Sequence, residues 1–319
     1  MKSPSPHLII PVYNRRSVTC RCLRMISPLL KNGWKIVVVD DGSTDGTRDA
    51  IENDFPDVKT LSGTGSLYWT GAMELGMRWA YDNGANCMVW LNDDVTLEPV
   101  VIENIAAKAM KQNCVISGLG CILDNKGDIT SYHRLTYRGL GKLDQQIISE
   151  PPLDLIAVDA CRGNLVAFPR DIVSRIGFPD GSKVPHMMGD SDYTLRATKA
   201  GFNCFIDPDS PFIEEYVYRE DNDSWLLDSR TPLKIIRQTL SKRGGLYPRS
   251  FLIFSYRHWK MQGIANCLKS YSRLIIILTI KLITPRSLIE RIFAKKHVLN
   301  TSERTAPSSE IQNLDGNSR

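Results

Sequence analysis

The sequence predicts an α/β chain, with a mostly parallel sheet and helices on both of its faces. Three observations point there. Short apolar runs of strand length recur through the first part of the chain, at "HLIIPV", "KIVVV", "VKTL" and "CMVWL". Segments with helical spacing or helix-start chemistry separate them, the alternation that parallel strands need for their crossovers. Three of these strands end on polar sets, Tyr13-Asn14, Asp40-Asp41 and Asn92-Asp93-Asp94. In open α/β sheets that end of the strands is where ligands bind.

Each element has a local reason. "HLIIPV" is apolar throughout, as a strand buried on both faces requires. A basic, helix-like segment follows it to about Lys31. "KIVVV" is the second strand, after which Ser43-Thr44-Asp45 offer N-cap chemistry for a helix to about residue 53. "VKTL" is a short third strand. From Thr70, the residues Ala72, Leu75, Gly76, Trp79 and Ala80 fall at helical spacing. "CMVWL" is the fourth strand, and a helix over 99–112 leads into "CVISGLGCIL". After residue 123 the pattern turns irregular and rich in Gly and Asp. "DACRGNLVAFPRDIVSRIGFPD" then reads as a strand, a Pro-Arg turn and a short helix. "HMMGDSDYTLRATKAGF" reads as a helix with acids in its first turn and Gly201 closing it. "NCFID" is one more strand, and residues 231–297 read as helical.

Composition bounds the partners. At 319 residues, 42% hydrophobic and 24% charged, the chain is ordinary globular protein of one large domain or two smaller ones. A net charge of +5 hides an asymmetry: residues 231–300 hold 14 Lys and Arg against the single acid Glu290, so that stretch is +13 and the remainder −8. The basic back half is expected to meet an anionic surface. Within it, "YSRLIIILTIKLI" is a thirteen-residue apolar core broken by Lys281. A spanning helix needs roughly 20 residues. The stretch fits a helix lying in a membrane interface, with Arg249, Arg257, Lys260, Lys269 and Arg273 near anionic headgroups. No nucleic-acid motif accompanies the charge, so no nucleic acid is expected as a partner. Eight scattered cysteines without a CxxC suit a reduced, cytoplasmic setting, and the N-terminus lacks a signal-peptide pattern.

Three acidic clusters carry the chemistry. Adjacent carboxylates at Asp93 and Asp94 repel each other at the end of a buried strand, and so anticipate a cation. Mg²⁺ takes one or two protein carboxylates and completes its shell with substrate phosphates. The plainer alternative is a solvated turn that caps the helix before Pro99. Asp41 suits either a turn or hydrogen bonds from a nucleotide base or ribose. The first turn, "PVYNRRS", has no G-x-G-x-x-G, which argues against a dinucleotide-binding dehydrogenase. Asp190 and Asp192 flank a serine at a helix start, where they are either simple first-turn acids or include a base for a hydroxyl group.

In this order, "IIPVYNRR", "VVVDDGSTDGT", "LNDDV" and "GDSDYTLRATKAG" resemble the family 2 glycosyltransferases, whose GT-A fold is a Rossmann-like, mostly parallel nucleotide-diphospho-sugar transferase sheet. "GTGSLYWTGAMELGMRWA" resembles the rhamnosyltransferase-like subgroup of bacterial surface-polysaccharide synthesis. The resemblance runs from residue 7 to about 218. It implies inverting, metal-dependent transfer of a sugar from a nucleotide-diphosphate donor to a glycan or lipid-linked saccharide. Pro11, Tyr13 and Asp41 would border the nucleobase and ribose, with Trp69 in the donor segment. Asp93 and Asp94 would serve the diphosphate and Mg²⁺ or Mn²⁺, Asp94 as direct ligand. Asp190 falls on the catalytic base. Asp192 would orient that helix or the acceptor, and His186 would line the acceptor side. Asn92 stands where many relatives have Asp, and Glu74 where Asn is usual in the donor helix. No Q-x-x-R-W follows, so processive synthesis is not expected. The runner-up is a non-catalytic nucleotide-sugar-binding or scaffold protein of the same fold. The expected division is a catalytic domain over 1–230, a basic amphipathic helical region over 231–298 and a disordered tail over 299–319. The expected location is peripheral, on the cytoplasmic face of the inner membrane.

Overall fold

A computed structural model describes residues 5–123, 129–132, 135–146, 148, 150, 153–214, 230–285, 287 and 288. The tail expected at 299–319 lies outside the described residues, as does the end of the 231–298 region.

Strand and helix alternate to residue 123: β1 (Ser5–Val12), α1 (Arg16–Ile26), α2 (Pro28–Lys31), β2 (Lys35–Asp40), α3 (Thr47–Asp54), β3 (Lys59–Ser62), α4 (Tyr68–Asp82), β4 (Ala85–Leu91), a two-residue β5 (Val95–Thr96), α5 (Pro99–Gln112) and β6 (Val115–Leu123). The irregular stretch that follows forms short strands: β7 (Ile129–Tyr132), a separate hairpin of β8 (Leu135–Arg138) and β9 (Leu143–Gln146), and β10 (Ile156–Val158). Then come β11 (Leu165–Pro169), α6 (Arg170–Ile176), α7 (Gly189–Lys199) and β12 (Cys204–Glu214). Further helices are α8 (Pro232–Thr239), α9 (Pro248–Trp259) and α10 (Met261–Ile283).

The large sheet runs β10-β12-β6-β11-β4-β1-β2-β3, with β5 and β7 attached to β12 and β6. β3, β2, β1 and β4 are mutually parallel, and so are β6 and β12. β11 enters antiparallel between β4 and β6, which the helix–strand alternation does not anticipate. It follows a hairpin region rather than a crossover helix, so nothing obliges it to run parallel. Both faces of the sheet are covered, which is why the strands read as unbroken apolar runs. Leu8, Ile10, Val38 and Val89 pack on the layer of Leu23, Ile102 and Ile105. Ile9, Val39, Met88 and Trp90 face the other way, onto Met73, Met77 and Tyr193. Trp90, fully buried, meets Phe168 and Tyr193 in tilted ring contacts with centroids 4.4 Å and 5.4 Å away. All eight cysteines are free and buried, where they act as small apolar groups.

Among the described residues, 236–271 group with the sheet elements in one compact unit, and 230–235 group with 272–288 in another. Within the first, Phe254 and Trp259 of α9 form an apolar cluster with Ala160 and Leu195. Burial of these aromatic rings holds α9 to the sheet domain. α10 is 23 residues, longer than its apolar core alone suggests, and by length and composition it could cross a membrane.

Candidate active site

Six residues singled out in the sequence, Pro11, Tyr13, Asp41, Trp69, Asp93 and His186, line one cavity of about 340 Å³ beyond the ends of β1, β2 and β4. A second cavity of about 350 Å³ holds Asp190. Trp69, Asn92 and His186 belong to both walls.

The acids differ in what holds them. Asp41 Oδ1 accepts the Gly65 N–H at 2.8 Å, and its Oδ2 accepts the Tyr68 N–H at 3.0 Å. It therefore shapes the loop ahead of α4, where Tyr68 sits at φ +56°, a conformation that costs a bulky residue energy. Asp93 is 2% exposed, with Oδ1 3.1 Å from the Arg15 guanidinium and Oδ2 accepting the Thr19 hydroxyl at 2.7 Å. Burial pushes its carboxyl up to about 6 against the opposing pull of Arg15. Asp94 Oδ2 takes the other Arg15 nitrogen at 3.0 Å, and its Oδ1 carries no hydrogen bond from the described residues. The cation that adjacent acids anticipated is thus supplied in part by the chain itself.

Asn92 explains its own departure from Asp. Its Oδ1 accepts the Trp69 indole N–H at 2.8 Å while its Nδ2 donates to Asn164 Oδ1 at 2.8 Å. One amide offers both a donor and an acceptor, which an ionised carboxylate does not. Trp69, edge-on to Trp90 at 5.2 Å, is held as a wall between the two cavities. Glu74 turns elsewhere: it accepts the Gly181 N–H at 3.1 Å and pairs with Arg78.

Asp190 opens α7. Its Oδ2 accepts the Gly163 N–H at 3.0 Å and its Oδ1 the Ser191 N–H at 2.6 Å, which together orient the carboxylate. Only glycine fits at 163, because a Cβ there would lie 2.3 Å from the Trp69 ring. The same holds for Gly189, where a Cβ would lie 1.9 Å from Thr70 Oγ1. These contacts let the starts of α4 and α7 meet. Asp192, one residue past Ser191, points away from both cavities' walls and is 1% exposed. Arg257 reaches its Oδ2 at 2.5 Å and His258 Nε2 lies 2.9 Å from its Oδ1. Arg257 also holds Asp180 at 2.7 Å. Burial would raise the Asp180 carboxyl, but the Arg257 guanidinium outweighs it and holds the group below its ordinary range. Arg257 was expected near headgroups; it is turned inward because two carboxylates at 180 and 192 need a counterion.

A scan of the sequence against protein-family profiles matches "Glycosyl transferase family 2" over residues 7–168. The chain belongs to glycosyl transferase family 2. The search of curated proteins found no match. Two solved structures share the fold. One is the crystal structure of GalNAc-T7 with UDP, GalNAc and Mn²⁺, at TM-score 0.54 and 13% identity over 85% of this chain. The present chain spans 58% of that protein's length. The other is the mannosyltransferase PcManGT from Pyrobaculum calidifontis in complex with GDP-Man and Mn²⁺, at TM-score 0.52 and 17% identity, covering 93% of this chain and 81% of that one. The architecture is the GT-A glycosyltransferase fold.

In this family 2 protein one carboxylate oxygen is left that fits a hard divalent cation. Asp94 Oδ1 is open, and carboxylate oxygen suits Mg²⁺ or Mn²⁺. Asp93 spends both oxygens on Arg15 and Thr19 and so anchors the arrangement. No cluster of three or more His, Cys, Asp or Glu that could cage a metal occurs among the described residues. His186 contributes a buried Nδ1 without a hydrogen-bond partner. Burial, reinforced by Arg243, keeps this imidazole below its ordinary pKa and so neutral at pH 7. The residues that sequence reasoning missed are Arg15, Thr19, Gly163, Asn164, Arg243 and His258. Only Arg15 had a visible signal, since it follows the polar end of the first strand.

Proposed function

We propose that the protein is an inverting glycosyltransferase that moves a sugar from a nucleotide-diphosphate donor to a hydroxyl of a glycan or lipid-linked saccharide. The observation that carries this is the shared wall of Trp69, Asn92 and His186, which joins a cavity lined by Asp41 and Asp93 to one lined by Asp190. In this reading the nucleoside lies beside Pro11 and Tyr13, on the loop that Asp41 holds. The diphosphate points toward Asp94, which would hold Mg²⁺ or Mn²⁺. When bound, that ion neutralises charge on the departing nucleoside diphosphate. His186, on the wall of both cavities, borders the sugar. Asp190 accepts the proton of the acceptor hydroxyl as its oxygen bonds to the anomeric carbon. The bond from that carbon to the phosphate oxygen breaks, and its electron pair leaves with the diphosphate. Attack from the face opposite the leaving group inverts the configuration. Asp190, fixed by two backbone N–H groups, contributes chiefly by position. The likeness of residues 63–80 to rhamnosyltransferase-like enzymes supports a hexosyl donor, rhamnosyl among the candidates, and a surface-polysaccharide product.

Nucleotide release should be measured over UDP-, dTDP- and GDP-sugars with and without metal. EDTA should abolish transfer, and Mg²⁺ or Mn²⁺ should restore it. Full activity after exhaustive chelation removes the metal from the reading. Silence with every donor leaves the non-catalytic alternative standing.

We further infer that α10 attaches the protein to the cytoplasmic face of an anionic membrane. Met261, Leu268, Ile275 and Leu282 recur every seventh residue along it and are all exposed, joined by Ile276 and Ile283. Lys269, Arg273 and Lys281 lie on the same helix. Full-length protein should co-sediment with anionic liposomes at low salt and be released at high salt, since screening weakens the headgroup attraction. Ile275→Glu with Ile276→Glu should abolish binding without altering nucleotide release. Release only by detergent would indicate a spanning helix, and no binding at low salt would end the tether idea.

A further inference from the structure

We propose that Arg243 binds the phosphates of the donor, so that the segment after the profile-matched region completes the nucleotide site. The proposal rests on the glycosyltransferase reading above and names a phosphate ligand that this reading does not assign. Arg243 lies in the turn between α8 and α9, yet it lines the first cavity together with Tyr13, Asp41 and Asp93. Its guanidinium carbon is 5.6 Å from the Tyr13 ring centre and 5.7 Å from that of Tyr68. Lys242 Nζ approaches the same Tyr68 ring at 5.7 Å. Two cations therefore stand against the aromatic rim of a cavity.

Arg243 has no carboxylate to pair with there. Asp41 is occupied by the Gly65 and Tyr68 N–H groups, and Asp93 by Arg15 and Thr19. Among the described residues, neither a hydrogen bond nor an ion pair holds the Arg243 guanidinium. A cation facing a cavity without its counterion is suited to an anionic ligand. The planar guanidinium fork matches phosphate oxygens in pairs, which a base or a neutral sugar cannot reciprocate with charge. The turn is also fixed in place. Gly244 N–H bonds to Ser241 O at 2.8 Å and Leu246 N–H to Thr239 O at 3.2 Å. α9, which follows directly, is anchored by Ser250 on the Lys183 carbonyl at 3.0 Å and by Arg257 on Asp180 and Asp192. The helix that supports Asp192 thus sets the place of Arg243.

The test is calorimetry on the full-length protein with Mn²⁺, using UDP, GDP and dTDP, with affinities for the parent nucleosides read by competition. Wild type should bind one nucleoside diphosphate well above its nucleoside. Arg243→Gln should weaken that diphosphate about tenfold, roughly the worth of one charge-assisted contact. Nucleoside affinity should stay within about twofold and the melting temperature should not move, because the side chain is exposed. Arg243→Lys should recover part of the loss. A wild type that prefers the diphosphate, beside an Arg243→Gln variant that keeps that preference, overturns the role of Arg243 alone. Equal losses for diphosphate and nucleoside also overturn it, by making the contact one with the base. A wild type indifferent to every diphosphate removes both this proposal and the glycosyltransferase reading on which it stands.

Discussion

Asp190→Asn is expected to lower kcat by about 10² or more while donor affinity stays within a few-fold. The substitution keeps the shape of the side chain and one oxygen to accept the Gly163 N–H. It removes the group that takes the acceptor's proton. The first cavity, where the donor would sit, is lined by other residues, so donor binding has no reason to change. Donor affinity by calorimetry and transfer by product formation separate the two effects. Asp94→Asn gives the contrasting pattern, in which metal-dependent donor binding is lost first. Near-normal turnover in Asp190→Asn would leave the inverting mechanism without its base.

Asp192→Ala should fail in a different way. Its carboxylate is buried with Arg257 and His258 on its two oxygens. Its loss leaves the His258 ring without this partner and Arg257 with Asp180 alone, so the cost falls near the lower end of the roughly 3–5 kcal/mol typical of breaking a buried pair. For a domain of this size about 1 kcal/mol corresponds to ~2–4 °C in Tm, so a fall on the order of 10 °C is expected. Turnover should fall with it, because α7 carries both Asp190 and Asp192. Asp192→Asn retains a hydrogen-bonding oxygen and should lose less. Arg257→Ala should be strongly non-additive with Asp192→Ala, since both remove the same pair. If Asp192→Ala melts like wild type yet loses turnover, Asp192 belongs to the chemistry rather than to the support of α7. The sequence reading had allowed Asp192 an orienting role. The structure makes it a junction between α7 and α9.

That junction also limits how the chain can be divided. A cut before α9 would remove Arg257 and His258 and leave Asp192 buried without the guanidinium and the ring that hold its two oxygens. Asp180, Asp192, Arg257 and His258 all precede residue 272, so a truncation from there on spares this pairing.

Much of the architecture was legible in sequence because its signals are local. Apolar runs such as "KIVVV" and "CMVWL", short and rich in β-branched or aromatic residues, read as strands buried on both faces, and the acids that follow them mark the open end of the sheet. The helical spacing after Thr70 and the first-turn acids of "GDSDY" are likewise read within a few residues. The antiparallel entry of β11 was not legible, since strand direction depends on the path of the chain between strands and not on the strand's own pattern. The partners of the acids were beyond local reading as well. Arg15 meets Asp94 across 79 positions, and His258 meets Asp192 across 66. A charge run such as that of residues 231–300 shows how much positive charge is present, but not which of its members turn inward. Sequence alone determined the fold class, the strand ends and the acids placed there, because periodicity and helix-start chemistry act over neighbouring residues. Tertiary structure alone decided which acids stay open and which are spent on holding the fold, because a buried carboxylate takes its counterion from whatever the packed chain brings within about 3 Å.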